Sequence, residues 1–165
     1  MKHSQLFIHS LFQPKKLASY RLLTIGKVIQ YVFILVTIVT IISFVQFLTG
    51  VNETALQFED LQQYVKVIQW LLYPFALLFL FLTSTTLLFL RISIYALVGT
   101  ILLKIMKRRG EYRHMWRTSA FAITWSTLLS ILFVYLPIPS LFGTSINVII
   151  TIILLIIAAS KYPKL

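Results

Sequence analysis

Three histidines, four acids and no cysteine are nearly all that this chain offers to reaction chemistry beyond its hydroxyls. His3, His9 and His114 never pair at the spacing that puts two imidazoles on one helix face, and two of them have no acid nearby, so no metal site is expected. Asp60 is the sole aspartate, so the paired carboxylates of intramembrane aspartyl proteolysis are missing. The sequence also lacks a nucleophile elbow and a phosphate-cradling glycine loop. Without cysteine there are no disulfides, thiol nucleophiles or thiolate ligands. These residues point away from an enzyme, and no cofactor is expected.

What remains falls into two groups. Thr83, Ser84, Thr85 and Thr86 form a hydroxyl-rich patch inside an apolar run, and Gln46 and Asn147 add amides in other runs. Hydroxyls in such runs bond their own backbone or a neighbouring helix, and a polar conduit is the alternative. The second group is basic. Arg108, Arg109, Arg113 and Arg117 should converge at one interface, with Tyr112 and Trp116 able to lie at headgroup level, and Lys15, Lys16 and Arg21 add charge from the N-terminal segment. Such cations anchor a chain to anionic lipid headgroups, or dock an acidic surface of a partner membrane protein. The formal net charge is +11, but the basic residues lie beside hydrophobic spans and not on a soluble face, so nucleic acid is not the expected partner.

The elements that must position these groups follow from where charge is absent. Val28 to Thr49, Val67 to Leu90 and Thr118 to Ser160 contain none. A hydrocarbon core about 30 Å thick takes roughly 20 apolar residues in helix to cross, and soluble helices rarely sustain that length without a polar face. With 59% hydrophobic and 12% charged residues in 165, the expectation is an all-α integral membrane bundle. Four transmembrane helices are expected, at about 28–48, 67–91 with a continuation to 103, 118–136 and 146–160. Gly50, Val51 and Asn52 offer the exit from the first, and Trp70 and Tyr73 the outer interface of the second. Pro74 either starts or kinks that helix. Pro137, Pro139 and Gly143 make a tight turn between the third and fourth.

Residues 67–103 carry one charge and are too many for one crossing and barely enough for two. Charge distribution decides. Lys2, Lys15, Lys16, Arg21 and Lys27 precede the first span without an acid; Lys104, Lys107, Arg108, Arg109, Arg113 and Arg117 face Glu111 alone; Lys161 and Lys164 close the chain. Positive segments stay inside, so both termini and the 104–117 loop are expected in the cytoplasm, with 50–66 outside. That requires an even number of crossings and one crossing in 67–103. Arg91, after 24 uncharged residues, then snorkels to the inner interface. Beyond it Ile94, Leu97, Val98, Ile101, Leu102 and Ile105 form a stripe that wants an apolar surface, in the inner leaflet or in the bundle. Ahead of the single bundle, 28–165, residues 1–27 read as a basic amphipathic segment whose N-terminal interfacial helix breaks near Pro14. No cleaved signal peptide is expected.

Ser10 to Lys16, Tyr20-Arg21, Ile25-Gly26-Lys27 and Tyr31-Val32-Phe33 resemble the opening of an uncharacterised family of membrane proteins from Gram-positive bacteria, one of which is named a maltodextrin-utilisation protein. Tyr112 to Ala120, on through Leu128-Leu129, is similar to that family's later signature, and Tyr162-Pro163-Lys164 to its ending. The chain departs where many relatives carry a larger outer domain, since it offers only residues 50–66 there. The resemblance implies an accessory protein of the bacterial cytoplasmic membrane, near a sugar transporter, and supplies no catalytic residues. A non-enzymatic accessory or scaffold protein is thus the expected function, with a membrane-protein partner or a homo-oligomer. The alternatives are a small oligomeric transporter or pore, and an immunity protein against a peptide toxin.

Overall fold

The computed structural model describes residues 23–57, 59–136 and 139–164. Among them lie four helices and no strand: α1 (Ile25–Gln57), α2 (Glu59–Ile105), α3 (Tyr112–Val134) and α4 (Ser140–Ser160). Helix is the form expected here, because a segment in lipid must satisfy its backbone within itself. The chain is a helical membrane protein: Ile25–Glu53, Val67–Ile105 and Leu141–Ser160 are each long and apolar enough to cross a bilayer. Lys15, Lys16, Arg21 and the expected interfacial helix lie outside the described residues, as does Pro137.

Several boundaries differ from expectation. α1 runs through Gly50, Val51 and Asn52 to Gln57; one glycine costs a helix only about 1 kcal/mol relative to alanine, too little to end it. α2 is one helix of 47 residues, so 67–103 does not divide in two, and Pro74 is interior to it rather than at its start. α3 begins at Tyr112, which places Arg113 and Arg117 on a helix and shortens the basic loop. Gly143 belongs to α4, not to the turn; the helix starts at Ser140 with Pro139 as its cap.

Two compact units divide the chain, residues 33–88 and residues 1–32 with 89–165. In the first, the rings of Phe33 and Phe81 stack with centroids 6.5 Å apart. This ring contact joins α1 and α2 within the unit. The unit's outer surface is apolar, with Ile41, Val45, Trp70, Phe75, Leu78 and Leu82 exposed.

The second unit holds the core, in which Tyr95 and Leu103 of α2, Met115 and Ala122 of α3, Leu155 and Ala159 of α4 and Tyr162 beyond it are buried together. α3 packs along α4 as an antiparallel pair. Phe133 meets Gly143, Ser130 meets Asn147 and Thr118 meets Tyr162, so contacts step down one helix as they step up the other. α3 is the least apolar of the four helices and is not among the three stretches that meet the crossing criterion. Thr118, Ser119, Thr124, Ser126, Thr127 and Ser130 lower its hydropathy. The first five of these are buried, and Ala120 to Thr124 are fully so. Small and hydroxyl side chains let helices approach closely and bond across the interface, which suits α3 to the centre of the unit.

Of the expected stripe beyond Arg91, Ile94, Leu97, Ile101 and Ile105 are exposed, whereas Val98 and Leu102 are half-buried, Leu102 against the core; Ile92, Tyr95, Ala96, Gly99 and Leu103 pack inward. Gly99 is required by that packing. A Cβ on it would stand 2.6 Å from Cγ of Met115.

Candidate functional site at the basic end of the second unit

α2 ends in a left-handed cap. Lys107 has φ 50°, its N–H donates to the carbonyl of Lys104, and the N–H of Arg108 donates to that of Leu103. This pattern satisfies the last carbonyls of a helix and usually takes glycine at the left-handed position. The chain then meets its own C-terminal tail. Arg108 pairs with Lys164 in an isolated antiparallel bridge, the N–H of Arg109 donates to Pro163 O at 2.8 Å, and Arg108 Nη1 donates to Tyr162 O at 2.8 Å.

Tyr162 is the anchor of this strap. Its ring is buried against the core, and its hydroxyl shares a 2.7 Å hydrogen bond with Thr118 Oγ1. Gly110 makes the necessary room, since a Cβ there would come 2.6 Å from Leu103 Cδ1 and 3.0 Å from Tyr162 Cδ1. The start of α3 is fixed as well. Glu111 N–H donates to His114 Nδ1 at 3.4 Å, and Trp116 Nε1 donates to Ser93 Oγ at 3.4 Å.

Six cations surround the strap: Lys107, Arg108, Arg109, Arg113, Lys161 and Lys164. Arg108 is half-buried and the other five are exposed. Glu111, the acid of this end, is paired with Arg113. The expected convergence of Arg108, Arg109 and Arg113 is present, on a loop and a helix start; Arg117 follows on α3, half-buried. Sequence reasoning missed the part played by Tyr162 and Thr118. The signal available was a tyrosine placed just after a charge-free helix, opposite a threonine at the foot of the preceding one.

The second group of candidates is dispersed. Thr83, Ser84, Thr85 and Thr86 lie in the first unit and Asn147 in the second. Thr85 and Thr86 donate to their own helix, to the carbonyls of Phe81 and Leu82. Asn147 is buried and donates through Nδ2 to Ser130 Oγ at 2.8 Å. Deeper in α3, Thr124 shares a 2.7 Å hydrogen bond with Tyr31 of α1, whose ring packs on Phe121. Among the described residues no group of histidines and acids is placed to hold a metal.

Residues 4–60 and 51–159 match a family described as protein of unknown function (DUF1189). The chain belongs to the DUF1189 family. No curated protein and no solved structure matches it. The Ser10 to Lys16 and Tyr112 to Ala120 motifs both fall inside the matched residues. The two matched segments meet at 51–60, in the stretch where the chain was expected to depart from its relatives, and the strap at Tyr162 to Lys164 lies beyond the match. In this DUF1189 chain the basic loop and α3 lie within the matched residues, while the tail that ties them together is read from the structure.

Proposed function

We propose that this DUF1189 protein is a multi-spanning accessory subunit of a bacterial cytoplasmic membrane, acting by contact with a larger membrane assembly and not by a reaction of its own. One observation carries the reading: three hydroxyls of α3 each tie it to a different element of the second unit. Thr118 bonds Tyr162 of the tail, Thr124 bonds Tyr31 of α1 and Ser130 bonds Asn147 of α4. What the protein offers outward is apolar flanks and a basic end. The family resemblance makes a sugar transporter the first assembly to test.

The reading takes α3 as a fourth crossing. α3 has 23 residues and α4 has 21, so each spans a little over 30 Å at about 1.5 Å per residue, close to the hydrocarbon thickness. The basic loop and the basic tail meet at one end of this pair, which supports a cytoplasmic placement for both.

The test is a photo-crosslinking amino acid placed at Leu78 or Leu82, both exposed, in the native membrane. A discrete adduct with one identified membrane protein, at either position, is expected. Adducts with lipid alone, or with a second copy of the chain alone, would overturn the accessory reading.

A small pore is the second reading, favoured by Ser119 Oγ, Ser126 Oγ and Asn147 Oδ1, which are buried without a hydrogen-bond partner among the described residues. Ion flux through reconstituted protein, abolished by alanine at Ser126 and Asn147, would establish it.

A further inference from the structure

We infer that the strapped basic end is a recognition site for the phosphate of an anionic phospholipid headgroup. Positive segments beside membrane spans are common, and charge alone is no site. Here three things are added to charge. The tail fixes the loop backbone: Arg109 N–H is held by Pro163 O, Arg108 is paired with Lys164, and the Arg108 side chain is held by Tyr162 O. Cations from separate segments, Lys107 to Arg109 from the loop and Lys161 with Lys164 from the tail, are thereby gathered on one surface whose order does not have to be acquired on binding. Finally, the acid in their midst is already neutralised, since Glu111 is paired with Arg113.

The chemistry that fits is a monoester or diester phosphate presented at headgroup level. Lysine and arginine donate charge-assisted hydrogen bonds to phosphate oxygens, and each basic residue near an anionic surface adds to the attraction. The lipid is favoured over a free anion by the neighbours. Tyr112 is exposed beside the cations, Trp116 is half-buried beneath it, and both are amphipathic rings of the kind found at headgroup level. Ile101 and Ile105 lie exposed on the last turns of α2, where acyl chains would run. The inference rests on the reading that this end lies at a membrane interface, but not on the existence of a protein partner.

The experiment uses the full chain, extracted in detergent and stripped of lipid. It is titrated with phosphatidylglycerol and separately with phosphatidylcholine of the same acyl chains, and bound lipid is counted by native mass spectrometry. Saturable binding of phosphatidylglycerol, at least tenfold tighter than phosphatidylcholine, is expected. Replacing Lys107, Arg109 and Lys161 together by glutamine, with the Glu111–Arg113 pair left intact, should reduce that preference fivefold or more. The charge-conserving set Lys107→Arg, Arg109→Lys and Lys161→Arg should keep it, which separates lost charge from lost fold. Equal retention of the two lipids overturns the inference, as does an unchanged preference in the glutamine variant. Displacement of phosphatidylglycerol by inorganic phosphate at equal concentration would assign the site to a free anion, and would likewise overturn it. Because no partner is present, a negative result leaves the accessory reading standing.

Discussion

The hydroxyls of Tyr162 and Thr118 lie 2.7 Å apart across 44 residues of sequence, and this bond closes the α3–α4 pair at its basic end. Thr118 Oγ1 also donates to His114 O, so removing the phenol does not orphan it. Tyr162→Phe should therefore cost about 1 kcal/mol, the typical net worth of one hydrogen bond. Tyr162→Ala removes a buried ring as well and should cost about 3–5 kcal/mol. Thermal unfolding in detergent, followed by circular dichroism, reads both. Equal losses would show that the hydroxyl, and not the ring, holds the strap.

Close approach of α2 to α3 depends on Gly99, above which Met115 is fully buried. Gly99→Ala should destabilise by about 1–3 kcal/mol, the usual cost of overpacking. Met115→Ala alone should also destabilise, by leaving a cavity. Combined, the two changes relieve each other, so the double variant should be more stable than the sum of the single effects predicts, by about 0.5–3 kcal/mol. Strict additivity of the unfolding midpoints would mean that the helices do not meet at this point.

Charge-free runs made the membrane class legible, and the single crossing expected within 67–103 falls on one continuous helix. What stayed hidden was decided by contacts between distant residues. Hydropathy ranks α3 last, yet its hydroxyls are buried because Tyr31 and Tyr162 reach them from elements far away in sequence. Gly50 and Gly143 read as breakers, but both sit inside helices, where a glycine penalty of about 1 kcal/mol is outweighed by continuing the backbone hydrogen bonds. At the candidate site the cations were visible individually. Their assembly was not, because the tail that carries Lys161 and Lys164 meets Arg108 and Arg109 through a bridge and backbone hydrogen bonds that have no sequence signature.

Lys107 adopts φ 50° as the left-handed cap of α2. A non-glycine residue in this region carries a steric cost of about 1–2 kcal/mol that glycine avoids. Lys107→Gly should accordingly raise stability by up to about 1 kcal/mol after the entropic cost of glycine in the unfolded chain, whereas Lys107→Val should lower it. Chemical denaturation in mixed micelles gives the sign. A valine variant as stable as the parent would sink this account of the cap.

Arg108 and Lys164 are bridge partners, and residues directly opposite in an antiparallel bridge have Cα atoms about 4.5–5.5 Å apart. That separation lies inside the range a disulfide accepts. The chain has no cysteine, so Arg108→Cys with Lys164→Cys gives an unambiguous pair. Mild oxidation should close it, with loss of thiol labelling that a reductant restores, and unfolding should then need a higher temperature because the unfolded chain is constrained. Each single variant also reports sidedness. If the loop and the tail share the cytoplasmic side, as proposed, a membrane-impermeant maleimide should leave both positions unlabelled in sealed, right-side-out vesicles and reach both in inverted ones. Labelling of the two positions from opposite faces would contradict the bridge and the even number of crossings at once. Labelling of both from the outside would keep the bridge and reverse the orientation.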